Sequence, residues 1–290
     1  MRLKSKITGL ISGLLAMPAF AEEGLEIIGQ PLADGIGFQP AATKLARDLQ
    51  WLDGMILIII TAITVFVLGL LAYVILRYNR KANPVPETFT HNSTVEVAWT
   101  VIPIVILVFI GAFSLPVLFD QQKIPEGEVN IKVTGNQWYW GYEYVDEGFE
   151  FDSFLIGDDK VLTPEVELEL QEAGYTRDQF LLATDTAVVV PVDKTVVMQI
   201  TGADVIHSWT IPAFGVKQDA VPGRLGQLWF KAEKEGIYFG QCSELCGKDH
   251  AYMPITVKVV SQDAYKSWLS AAKSEYAGTI QSYNIAEASE

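Results

Sequence analysis

Residues 240–254 read GQCSELCGKDHAYMP and place Cys242, Cys246, His250 and Met253 in one short stretch. Both cysteines of the chain lie here, and a second histidine, His207, stands just past a long β-branched run. In an oxidising compartment, two cysteines most often form a disulfide. A Cys242–Cys246 bridge would close a very short loop, restrain the unfolded chain little and leave His250 and Met253 without a role. Two Cys and two His would also satisfy a tetrahedral zinc site. The methionine argues for a softer metal: thiolate, imidazole and thioether suit copper, and His₂Cys with a weak axial Met is a mononuclear electron-transfer set. One thiolate more is present than that set needs, so two thiolates could bridge two ions, each with one imidazole. These residues favour copper over zinc or a disulfide without closing off either.

The segments around this stretch divide in two. Arg2, Lys4 and Lys6, an apolar run from Ile7 and the small-residue site Ala19-Phe20-Ala21 make residues 1–21 a secretory signal. No cysteine follows, which argues against a lipoprotein signal. Met55–Leu76 and Val97–Phe119, 22 and 23 residues without a charge, are each long enough to cross a hydrocarbon core about 30 Å thick. They are apolar on nearly every face, and Pro103 and Pro116 in the second are tolerated in membrane helices. Arg77, Arg80 and Lys81 lie between the runs and Asp48, Asp53 and Asp120 on their outer flanks, so the loop belongs inside and both ends outside.

Beyond residue 120 the pattern becomes short β-branched and aromatic runs: Val129–Val133, Trp138–Tyr144, Ala187–Ile200, Gly226–Phe230 and Ile255–Val260. A helical insert starts at the Thr163-Pro164 cap and stops at Gly174, and an amphipathic helix follows Ser261 and frays past Lys273. The fold class is membrane-anchored and all-β, a small barrel or sandwich behind a helical hairpin. Charge follows the same division. Residues 1–119 carry eight basic and eight acidic side chains, so the whole net charge of −14 falls on residues 120–290. That surface repels nucleic acid and attracts a basic partner, or is simply solubilising.

The stretch GQCSELCGKDHAYMP, with DVIHSW and QWYWGYEY upstream, the FTHNSTVEVAWTVIP segment and the VKQDAVPGR segment, resembles cytochrome c oxidase subunit II, most of all its bacterial members. The resemblance covers nearly the whole mature chain. It implies a two-helix transmembrane hairpin followed by a cupredoxin-like Greek-key β-barrel holding a binuclear copper centre, CuA. The divisions would be 1–21 signal peptide, 22–50 periplasmic segment, 51–120 hairpin, 121–262 cupredoxin-like domain and 263–290 C-terminal helix and tail. Cys242 and Cys246 would bridge the coppers, with His207 and His250 as terminal ligands. Met253 and the Glu244 carbonyl would be axial, and the Glu244 side chain would share a magnesium ion with subunit I. Trp138 would accept electrons from cytochrome c, and Glu96 would stand at the mouth of a proton pathway. The partners implied are subunits I and III, cytochrome c and the lipid bilayer. Haem is confined to subunit I, and the place is the bacterial inner membrane, with the copper domain and both mature termini periplasmic.

Bland readings stand beside these. Trp138, Trp140, Tyr142 and Tyr144 share one face of a period-2 strand and would ordinarily be packing aromatics. Glu96 would ordinarily be a solvated helix-start acid, and His91 is a polar loop residue. Glu143, Asp152, Asp185 and Asp204 are expected to cluster near the copper loops as a docking patch, so that neutralising Asp204 or Glu143 slows association and leaves the copper spectrum alone. Two rival functions are the copper domain of a nitrous oxide reductase, opposed by the two membrane runs, and a copper chaperone, which gives the aromatic strand and Glu96 no purpose.

Overall fold

The computed structural model describes residues 24–157 and 159–277. The expected signal at 1–21 and the tail past Ala277 lie outside the described residues. In chain order the elements are β1 (Ile27–Gly29), α1 (Lys44–Arg77), α2 (Ser93–Gln122), β2 (Val129–Asn136), β3 (Tyr139–Tyr144) and β4 (Phe149–Ser153). There follow α3 (Pro164–Glu172), β5 (Val188–Pro191), β6 (Thr195–Gly202), β7 (His207–Ile211) and β8 (Val216–Ala220). The chain ends with β9 (Gly226–Lys231), β10 (Gly236–Gln241), β11 (Pro254–Val260) and α4 (Gln262–Glu275).

Both apolar runs are helices of membrane-crossing length, and their apolar spans have no buried face within the chain. α1 begins at Lys44, ahead of the expected residue 51. Thr43 explains this: its side chain caps the helix by accepting from the Ala46 N–H at 2.9 Å, and Leu45 and Ala46 are buried. α2 continues through Pro103 and Pro116 and is capped by Asn92.

One sheet has the order β1-β10-β11-β5 and the other β4-β3-β2-β6-β9, with β7-β8 as a separate hairpin. Together they build the cupredoxin-like β-domain expected behind the hairpin. The alternation of β2, buried at Val129, Ile131 and Val133, shows how one face of a strand enters the core. Trp140, Tyr142 and Tyr144 enter beside them and are fully or almost fully buried. Their polar atoms are satisfied there: Trp209 Nε1 donates to Tyr142 Oη at 3.2 Å, and Tyr144 Oη donates to the Val189 carbonyl at 2.7 Å.

Several sequence expectations need correcting. The long run Ala187–Ile200 is two strands in different sheets, because Asp193 turns the chain with φ 59° between β5 and β6. Trp138 precedes β3 instead of sharing its buried face. The segment 22–50, expected simply as an N-terminal segment, contributes a strand to the β-domain, since β1 pairs in parallel with β10. It is tied further by Ala42 N to Ala213 O (2.8 Å), Thr43 Oγ1 to Phe214 O (2.7 Å) and a two-pronged Arg47–Glu233 pair (2.6 and 2.9 Å). α3 has its Thr163 cap and ends before Gly174, while α4, capped by Ser261, runs to Glu275, past Lys273.

Candidate metal centre

Three segments meet at one end of the β-domain: the start of β7, the loop from β10 to β11, and the turn before β3. His207 opens β7 and is fully buried. Cys242 follows β10 directly, while His250 lies in a single 3-10 turn, His250–Tyr252, ahead of Met253. The Cys242 and Cys246 sulfurs are 3.8 Å apart. That is far beyond the ~2.05 Å of a disulfide, and both cysteines are free. From Cys242 Sγ, the His207 Nδ1 is 3.9 Å away and the Glu244 carbonyl oxygen 3.3 Å. From Cys246 Sγ, the His250 Nδ1 is 3.5 Å away and the Met253 Sδ 3.4 Å. Two sulfurs thus stand at the centre, each with one imidazole and one weak donor beside it. The His207, Cys242 and Cys246 donor atoms lie within 4.8 Å of one another and all three residues are buried. This soft, sheltered and paired donor set fits two copper ions, and the Sγ–Sγ separation leaves the thiols available to them.

The electrostatics suit a cation. Burial opposes a charge on Cys242, but the His207 imidazole and backbone groups of Glu244 and Ser208 outweigh it and lower its pKa. Burial and the neighbouring Cys242 push Cys246 up. Two thiols this close carry one negative charge readily and a second reluctantly, which a bound cation reverses.

His207 is held from behind. Its Nε2 lies 2.9 Å from Asp204 Oδ1, so the ring donates there and keeps the Nδ1 lone pair toward Cys242. Asp204 also accepts from the Val205 and Gln137 N–H groups at 2.6 and 2.8 Å. Burial pushes its pKa up, and these bonds with the imidazole bring it below the usual value. Asp204 is therefore engaged with a ligand imidazole as well as facing solvent, which argues against the expectation that its neutralisation spares the copper spectrum. Asp204→Asn should weaken copper binding about 10–100-fold, the usual range for a group that orients a metal ligand. Copper titration and the optical spectrum check this, and an unchanged spectrum would return Asp204 to the docking surface.

Trp138 lies against the same loop. Its Nε1 donates to the Cys246 carbonyl at 3.2 Å, and Gln137 Nε2 donates to the same oxygen at 2.8 Å. The four expected docking acids differ in their partners. Asp152 and Asp204 both act on Tyr139, whose pKa is raised by burial and then by these two charges. Asp185 lies near Asp152, whose own pKa burial and Asp185 raise. Glu143 is paired with Lys132 at 2.9 Å and stands two residues along β3 from Gly141, the residue opposite Asp152. Its charge is offset by that lysine, unlike those of Asp152 and Asp185 among the described residues. The Glu244 side chain is exposed, and Glu96 lies at the far end of the hairpin in the first turn of α2.

Sequence reasoning missed Gly135 and Gly240. A Cβ on Gly135 would stand 2.8 Å from the His207 ring, and one on Gly240 would stand 1.8 Å from the Thr210 carbonyl oxygen. Both glycines let strands close around the ligands. Nothing in one sequence separates them from ordinary turn glycines.

A membrane hairpin carrying a cupredoxin-like domain with this paired-thiolate loop defines a membrane-anchored protein of the copper-binding class. Residues 129–260 match the family described as cytochrome c oxidase subunit II, periplasmic domain, and residues 31–117 match its transmembrane domain. The chain is 64% identical over 283 residues to cytochrome c oxidase subunit 2 of Cereibacter sphaeroides, covering 94% of this chain and 93% of that one. It is 41% identical over 242 residues to subunit 2 of Arabidopsis thaliana, covering 81% and 88%. The crystallised periplasmic domain of subunit II (CoxB) of Bradyrhizobium japonicum is 48% identical, with TM-score 0.45, over 53% of this chain and 99% of that one. The chain belongs to the cytochrome c oxidase subunit II family. It is a two-pass membrane subunit of a cytochrome c oxidase with a periplasmic β-domain.

Proposed function

We propose that this chain accepts electrons from cytochrome c at a binuclear CuA centre and passes them to haem in subunit I, where oxygen is reduced and protons are pumped. The observation that carries this is the convergence of His207 Nδ1, Cys242 Sγ, Glu244 O, Cys246 Sγ, His250 Nδ1 and Met253 Sδ on two sulfurs. Two copper ions held there would supply one-electron chemistry with the charge shared across both thiolates. The protein's part is to keep those donors still. Buried β7 and the hydrogen-bonded loop hold ligand positions through oxidation and reduction, which keeps the reorganisation of each transfer small. Trp138, hydrogen-bonded to the Cys246 carbonyl, offers a path from the surface, and Asp152 and Asp185 offer charge to a basic donor. The Glu244 side chain is proposed to help hold a magnesium ion with subunit I. Subunit III completes the assembly, and the bacterial inner membrane is the setting. Metal analysis tests the core of this: the purified oxidase should hold two copper ions in this subunit sharing one unpaired electron, and a single copper or a Cys242–Cys246 disulfide would overturn it.

Glu96 is proposed to stand at a proton-pathway entrance. It also has a local duty, for its Oε1 accepts from the Asn92 N–H at 3.2 Å and closes a reciprocal cap on α2. Glu96→Gln keeps an acceptor for that cap and removes the charge, whereas Glu96→Ala loses both, at a cost of about 1 kcal/mol. Both variants should turn over slowly while reduction of the copper centre by cytochrome c stays fast. Wild-type turnover in both would leave Glu96 as a cap alone.

A further inference from the structure

The functional reading leaves four side chains beside the metal loop unused: Lys160, Lys248, Asp249 and Tyr252. Lys160 belongs to the connection between β4 and α3, far from the loop in sequence. Its Nζ lies 2.5 Å from Asp249 Oδ1 and 4.8 Å from the centre of the Tyr252 ring. Asp249 and Tyr252 stand on either side of His250, and Met253 follows at once. One ammonium therefore grips the loop both ahead of an imidazole and behind it. The other carboxylate oxygen, Asp249 Oδ2, is 3.4 Å from Lys248 Nζ, and that ammonium lies 5.3 Å from the centre of the Trp138 ring.

The loop needs a grip of this kind. His250 sits in one turn of 3-10 helix without a side-chain cap, a poor structure to stand alone. His207 has Asp204 behind its ring, whereas among the described residues no carboxylate hydrogen-bonds the His250 ring. The anchoring side is built for the task. Lys160 is a non-glycine residue at φ 57°, a backbone region that side chains disfavour. Its N–H donates to the Gly157 carbonyl at 2.9 Å, which tightens that turn. The Lys160 and Asp249 side chains are only 29% and 19% exposed, so solvent and salt screen the pair less than an open surface pair.

We propose that Lys160 and Asp249 are positioning residues, a clamp that holds His250 and Met253 in ligating register whether or not metal is bound. This rests on the reading that the loop holds copper. The tests are made in the full chain and the assembled oxidase with Lys160→Met, Asp249→Asn, Lys160→Arg and the exchanged pair Lys160→Asp/Asp249→Lys. Two quantities are read: the rate of copper loss to a chelator, and amide hydrogen exchange of residues 248–253 in the copper-free full chain. Lys160→Met and Asp249→Asn should lose copper about tenfold faster or more, as expected for groups that orient a ligand, and their loop amides should exchange faster. Lys160→Arg should stay near wild type, and the exchanged pair should recover most of the loss. Asp249→Asn keeps the side-chain shape, so it still decides if Lys160→Met does not accumulate. Copper loss and exchange in both single variants within about twofold of wild type, well under the effect of an orienting group, would overturn the clamp. If the wild-type chain takes up no copper, the copper reading fails by itself, and the exchange measurement still decides for or against the clamp.

Discussion

Cys246→Ser is expected to abolish the shared-electron signal of the assembled oxidase and to bring its cytochrome c-driven turnover down to background. Cys246 Sγ is one of the two central sulfurs, at 3.8 Å from Cys242 Sγ, 3.5 Å from His250 Nδ1 and 3.4 Å from Met253 Sδ. A serine hydroxyl is a hard donor that ionises far less readily than a thiol, so the soft, bridging character of the position is lost. The fold should survive, because the Cys246 carbonyl keeps its bonds from Gln137 and Trp138. Copper content should fall below two per subunit, with no electron shared between ions. Electron paramagnetic resonance and metal analysis read this directly. A variant with two coppers and the wild-type spectrum would mean that the thiolates do not bridge.

Gly240→Ala should be more damaging to the structure than any loss of a surface contact. The added Cβ would lie 1.8 Å from the Thr210 carbonyl oxygen. Both partners are strand backbone, so no rotamer relieves the clash and β10 must move away from β7. Overpacking of this kind costs ~3 kcal/mol or more, which for a domain of this size lowers Tm by roughly 6–12 °C. The movement also reaches the metal centre. Thr210 is three residues past His207, and Gly240 is two before Cys242, so the same shift pulls a ligand imidazole from a ligand thiol. Thermal unfolding and copper titration of the full chain should both report it. Gly37→Ala, where a Cβ meets nothing within 4 Å, should change neither. Equal behaviour of the two variants would show that the β7–β10 approach is not what sets the ligand spacing.

The parts of this protein legible in its sequence are those fixed by local chemistry. Two uncharged runs can only be satisfied as helices in lipid. Thr163-Pro164 and Ser261 announce helix starts because their side chains cap them, and the Cys242–Met253 stretch gathers most of its donors within one loop. What escaped reading depends on partners distant in sequence. β4, β7, β8 and β10 are short strands that become strands through their neighbours, and β10 in particular is buried along nearly its whole length without alternation. Asp204 looked like one more surface acid because its role comes from the ring of His207 above it. Trp138 shared a parity with Trp140 but not a strand, since the turn at Gln137 lets it swing out to the metal loop. The two glycines that admit the ligands are defined by what is absent at their Cβ positions, and a residue's missing atoms carry no signal in a single chain.

The parallel ladder between β1 and β10 has a consequence for biogenesis. β1 comes before both membrane crossings and β10 after them, so the two can meet only when the hairpin has been threaded with both its ends on the same side of the bilayer. A chain halted after one crossing would keep β1 and β10 in different compartments. Its β10 edge would stay open, and an open edge is a template for unwanted pairing. Closing that edge thus reports correct insertion: the β1–β10 ladder can form only after the membrane topology is right.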